Sequence, residues 1–224
     1  FAGTRFVKCD NAVEIEDRIT KIVMNDQDLE LACQVLKTEK VLALDTETSP
    51  TTELVNAKQG KDESTDPHRS NLLTIQIATP RVCYIINPDL NLTGVKEILE
   101  SKSILKILQN AKFDAKVLKK SCKIELRNVY DTFLSERVLV AGIPSKFDPK
   151  KQLEADLASI CKRRLNLVLD KSAVKTFSAI RHISHLNAEQ ARYAANDVFV
   201  LFDLYLAQMP LLYSQELVQI ADIE

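Results

Sequence analysis

The sequence has no surplus of either charge: 30 Lys and Arg stand against 31 Asp and Glu, a formal net charge of −1. No global basic field therefore advertises a nucleic acid or a membrane. A nucleic-acid enzyme is still compatible with that sum, since acids gathered at one site can be offset by bases on its rim. Cysteine is sparse and ungrouped. Cys9, Cys33, Cys83, Cys122 and Cys161 are odd in number and widely spaced, with no CxxC and no Cys/His cluster. That pattern argues against a disulfide framework or a zinc site and favours a reducing, intracellular compartment. No apolar run of about 20 residues suggests a membrane span, no secretory signal is present, and no membrane partner is expected. There is no internal repeat. The first residue is Phe1 rather than Met, so the chain is expected to be a piece of a longer polypeptide, which leaves any targeting signal and the organelle open.

What is present is enough for one complete core: 224 residues, 46% of them apolar. Residues 1–20 carry no clear period and are expected to be an arm. A short strand is predicted over 21–24, then a helix to about Lys37 capped by Asn25 or Asp26, with Leu29, Leu31, Ala32, Val35 and Leu36 on its buried side. Pro50 breaks the chain, and 51–70 is polar and charged, a long loop. Alternation in 72–78 and the run 82–86 around Thr79-Pro80-Arg81 predict an antiparallel hairpin. A helix over 92–100, a strand over 104–108, a helix to about Lys120, a strand over 125–129 and a helix over 132–140 opened by Asp131 follow. After a basic loop at 146–151 come an amphipathic helix over 153–164, with Leu153, Leu157, Ile160 and Cys161 inward, and a last helix from Asn187 to about Gln208, with Gln190 completing a capping box. Strands early and helices late predict a mixed α/β sheet covered by helices. Residues 21–209 would form the single domain, and 210–224 a C-terminal helix or linker.

The stretch that organises this chain is VLALDTET, 41–48. Four apolar side chains followed by acids read as a buried strand that carries charge to its carboxyl edge, where α/β sheets open their ligand crevice. Residues i and i+2 of a strand point the same way, so Asp45 and Glu47 can aim at one point. Two like charges there repel unless a divalent cation neutralises both. Asn110 and Asp114 lie just past another strand, with Asp114 in the first turn of a helix, where the dipole favours an anion. Tyr193 and Asp197, at i and i+4 in RYAAND, share one helix face. Singly, Asp114 reads as a helix-start acid, Tyr193 as a core aromatic and Asp197 as a surface ion-pair partner. Together, four acids from three segments make an all-oxygen set suited to magnesium or manganese.

The order DxE, NxxxD, YxxxD resembles the motifs of the DEDD superfamily of 3′→5′ exonucleases in its tyrosine subclass; the sister subclass would put a histidine where Arg192 stands. The resemblance covers about 20–208. It is closest to the proofreading domain of family A DNA polymerases, through DTET, QNAKFD, YDTFLSERVL, LASICKRRLN and YAAND. Two features depart from that pattern: the 51–70 loop is long, and the tryptophan often found before the last helix is absent, with Phe177 near its place.

The resemblance implies a ribonuclease H-like sheet and a two-metal hydrolase that removes nucleotides from the 3′ end of single-stranded DNA, with two divalent cations, Mg2+ or Mn2+. Asp45, Glu47 and Asp197 would hold the first cation, and Asp45 with Asp114 the second. Tyr193 would orient the attacking water, as its ordinary pKa near about 10 makes it a poor base. Thr48, Gln109, Asn110, Lys112 and Phe113 are candidates to hold the terminal nucleotide. Lys146, Lys150, Lys151 and 162–164 could track phosphates or simply be solvated, and His68, His182 and His185 read as ordinary polar residues. A polymerase domain in the same longer polypeptide would be the partner. Two other readings stand beside this one: an RNA-trimming exonuclease of the ribonuclease D type, and a non-catalytic module that keeps the scaffold to bind nucleic acid.

Overall fold

The computed structural model describes residues 18–50, 70–143, 153–169 and 180–217. The arm, the 51–70 loop up to Arg69, the basic loop and the segment around Phe177 lie outside the described residues. Strands β1 (Ile19–Val23), β2 (Val41–Pro50), β3 (Ser70–Ala78), β4 (Val82–Ile86), β5 (Leu105–Leu108) and β6 (Val129–Asp131) form one sheet in the order β1-β4-β3-β2-β5-β6. Only β3 runs against the rest: β1–β4, β2–β5 and β5–β6 are parallel, while β3 is antiparallel to both β2 and β4. The carboxyl ends of β2, β5 and β6 therefore open on the same edge. This is the mixed α/β architecture expected from the sequence.

Strand alternation divides the core in two. Leu42, Leu44, Ile75, Ile77 and Ile86 face helices α1 (Asp26–Leu36), α2 (Thr93–Leu99) and α3 (Ala111–Cys122). Ala43, Ala78, Cys83, Ile85 and Ile107 face α5 (Leu157–Leu165) and the long α6 (Ala188–Ser214), with α4 (Thr132–Leu139) beside them. Helix α6 opens with the expected capping box: Asn187 Oδ1 accepts from the Gln190 backbone at 2.8 Å while Gln190 Oε1 accepts from Asn187 at 3.0 Å. It continues through Pro210 to Ser214, so a boundary at 209/210 falls inside one helix. Among the described residues α6 is also a helix long and apolar enough to cross a membrane, which amends the sequence expectation. Half of that apolar window is buried within the molecule, as for a core helix.

Several boundaries differ from expectation for local reasons. The strand expected over 125–129 is only Val129–Asp131, because Glu125 pairs with both Lys119 and Arg127 at the surface. Helix α5 begins at Leu157, not Leu153, where Asp156 supplies the cap. In α1, Leu31 and Val35 are exposed and Cys33 is buried instead.

The two arginines of α5 are not a phosphate track. Arg163 and Arg164 each take one oxygen of the fully buried Glu136 of α4, at 2.6 and 2.9 Å, and Gln208 of α6 donates to the same carboxylate at 3.1 Å. Burial alone would raise the Glu136 carboxyl, but the hydrogen bonds from Arg164, Gln208 and Arg163 outweigh it and hold the group below its ordinary range. This knot ties α4, α5 and α6 together. Removing its centre leaves two half-buried guanidiniums uncompensated, so Glu136→Ala is expected to cost about 3 kcal/mol. A urea midpoint unchanged from wild type would refute that.

Candidate active site

The sheet edge collects the acids from three elements. β2 carries Asp45 and Glu47, both half-buried; α3 carries Asp114, 3% exposed, in its first turn; and α6 carries Asp197 beside Tyr193. The polypeptide reaches this geometry through ordinary local chemistry. A register shift between Glu47 and Thr48 in the β2–β3 pairing leaves Leu73 of β3 as the extra residue and interrupts the ladder beside Glu47. At the start of α3, Asn110 adopts a left-handed conformation (φ 57°) and its side chain makes no cap.

The cap comes from elsewhere. Asp131 of β6 accepts from the backbone N–H of Asn110 and of Ala111, each at 2.9 Å, and also from Phe133 and Leu134 of α4 at 2.8 and 3.4 Å. One buried carboxylate thus fixes where two helices start, and through α3 it fixes Asp114.

The acids repel one another. The Asp45 carboxyl is driven well above the ordinary range, by burial first and then by Asp114, Glu47 and Asp197. Glu47 is pushed up to about 8 by burial, Asp197 and Asp114. Asp114 is pushed up to about 7 by burial, opposed by hydrogen bonds from Thr46 and its own backbone. Burial, the charge of Asp197 and a hydrogen bond to it raise the Tyr193 phenol far above its ordinary value. Among the described residues no three such groups close into a ready cage for a metal ion. The mutual repulsion nonetheless places all four acids in one electrostatic cluster; they are gathered but splayed. Hard oxygen donors with raised affinity for positive charge fit a divalent cation and suit no soft metal.

The residues expected around a terminal nucleotide are less uniform. Thr48 and Phe113 are half-buried, and Asn110 and Lys112 are exposed at the same edge. Gln109 is built into the scaffold: its Oε1 accepts from Thr132 Oγ1 and its Nε2 donates to Ala155 O at 2.9 Å, which ties β5 to the segment entering α5. His182 caps the short turn Ile183–His185.

Sequence reading missed three contributors. Thr46 Oγ1 donates to Asp114 Oδ1 at 2.6 Å. Asp131 was legible as a helix opener but not as the clamp on α3. Gln76 stands directly across the ladder from Asp45, fully buried; its Nε2 donates to Thr74 at 2.7 Å and its Oε1 has no partner. Only strand pairing reveals it.

Comparison with known proteins gives this edge a context. The sequence model of the 3′-5′ exonuclease family matches residues 20–212. No curated protein matches the chain. Among solved structures, the chain is similar to Escherichia coli RNase D, an exoribonuclease involved in structured RNA processing, with a TM-score of 0.70 and 21% identity over 90% of this chain and 47% of that one. The catalytic core of RRP6 from Trypanosoma brucei gives 0.67 and 19% over 94% and 51%. Brucella melitensis NrnC with bound Mg2+ gives 0.61 and 20% over 92% and 85%. The chain spans about half the length of the RNase D and RRP6 chains.

Proposed function

The chain belongs to the 3′-5′ exonuclease family, and from that premise we propose that it removes nucleotides one at a time from the 3′ end of single-stranded DNA, as the proofreading unit of a longer polypeptide with a polymerase domain. The observation that carries the reading is the cluster of four mutually repelling carboxylates with Tyr193 hydrogen-bonded to Asp197. Asp45, Glu47 and Asp197 would hold one divalent cation, and Asp45 with Asp114 a second, Mg2+ or Mn2+. Bound there, the pair supplies activation of water and neutralisation of charge at the scissile phosphate. The protein's own part is positioning. Tyr193 keeps its proton, so it orients the attacking water through the hydroxyl and does not act as a base. Thr48, Asn110, Lys112 and Phe113 hold the last nucleotide by backbone contact, charge and stacking, while Gln109 holds the edge itself.

The preference for DNA is supported by the motifs flanking the acids. The likeness to RNase D and RRP6 favours a second reading, RNA trimming, on the same chemistry. A 5′-labelled DNA strand and an RNA of the same sequence, each incubated with Mg2+ or with EDTA, test both. A descending ladder on DNA that depends on Mg2+ supports the first reading, and a ladder confined to RNA replaces it with the second. Binding with no ladder on either strand would identify a non-catalytic module. In the same assay Tyr193→Phe is expected to slow cleavage by about tenfold, since one water-orienting hydrogen bond is lost; an undiminished rate would remove that role.

A further inference from the structure

We propose that Thr46, the residue between the two acids of β2, is a positioning residue that decides which oxygen of Asp114 faces the cleft. This deepens the metal-site reading above and rests on it. Strand alternation sends Thr46 to the face opposite Asp45 and Glu47, in the row of Leu42 and Leu44 that packs toward α3. There it is 6% exposed and meets Asp114, which is 3% exposed. Its hydroxyl donates to Asp114 Oδ1 at 2.6 Å.

The four acids therefore approach the end of β2 from two sides. Asp45, Glu47 and Asp197 belong to the α6 face, whereas Asp114 comes from the α3 face and is anchored through Thr46. With Oδ1 held by the Thr46 hydroxyl, the Asp114 carboxylate is fixed in one orientation, which would present Oδ2 to a cation. A β-branched side chain suits that duty, because its χ1 is stiff and the hydroxyl is placed before any ion arrives. Partners that orient a ligating carboxylate are typically worth about ten- to a hundredfold in metal affinity. The effect belongs to the cation that Asp114 holds, and leaves the one held by Asp45, Glu47 and Asp197 largely untouched.

The test is Mn2+ binding to the full chain, followed by electron paramagnetic resonance of the free ion, in the presence of a short single strand with a cleavage-resistant phosphorothioate end. Wild type is expected to bind two ions and Asp114→Asn one. Thr46→Val, similar in shape but without the hydroxyl, should bind the first ion normally and the second about ten- to a hundredfold more weakly, while Thr46→Ser should restore it. The Mg2+ concentration for half-maximal cleavage should rise in Thr46→Val with KM for the strand unchanged. Two ions in Asp114→Asn would overturn the metal-site reading itself. One ion in Asp114→Asn, with wild-type affinity for both in Thr46→Val, would overturn the role of Thr46 alone. Should Thr46→Val fail to fold, the contrast between Thr46→Ala and Thr46→Ser carries the same decision.

Discussion

Asp197→Ala and Asp45→Ala are each expected to lower the cleavage rate by about a thousandfold or more, the loss of several kcal/mol of charge stabilisation at the phosphate, while the metal-free fold survives. Survival follows from the electrostatics of the cluster. Asp197 is the first among the charges that raise Glu47 after burial itself, and it adds to the repulsion on Asp45. Deleting it removes a repulsive partner from a buried group of acids, and Glu47 should then ionise more readily. The hydrogen bond between Tyr193 and Asp197 is lost in the exchange, a cost of about 1 kcal/mol. The two changes oppose each other, so melting in EDTA should move little, whereas the stabilisation conferred by Mg2+ should shrink markedly. Turnover equal to wild type in either variant would dismiss the assignment of these acids. A collapse of the fold in EDTA would instead make Asp197 a structural residue of α6.

The acids were legible in the sequence because each marks the end of an element whose own pattern is strong. VLAL before Asp45 reads as a buried strand, and Asn187 with Gln190 announces the helix that carries Asp197. The hairpin of β3 and β4 was legible for the same reason. The contacts that hold those ends in place were not legible, because they depend on which strands become neighbours. Nothing local says that Gln76 will face Asp45, or that Asp131, at the end of β6, will cap the helix that follows the neighbouring β5. The basic run 162–164 resembles a phosphate track until the fold brings the buried Glu136 beneath it. Leu31 and Val35 fit a buried helical stripe, yet the face that meets the sheet is set by Leu29, Cys33 and Leu36.

Stability of the metal-free protein should fall as the pH rises from about 4 to about 8, and Mg2+ should reverse that trend. In the unfolded chain the carboxyls ionise near about 4. Folded, Asp45 is held well above that range, Asp114 ionises at about 7 and Glu47 at about 8. Throughout the interval the folded state binds more protons than the unfolded one, so the derivative of unfolding free energy with pH is negative. Below the unfolded values both states are protonated and the penalty is absent; above about 8 Asp114 and Glu47 are ionised in the folded state as well and their share of it is fully felt. A divalent cation binds the ionised cluster and must displace these protons, so its stabilising effect should be small near pH 5.5 and large near pH 8.5. Thermal melts across that range, in EDTA and in Mg2+, measure both limbs, and calorimetric titration in buffers of different ionisation enthalpy counts the protons released. A melting temperature in EDTA that stays level or rises toward pH 8.5 would mean that the four carboxylates do not share one buried field, and the two-cation site would fall with it.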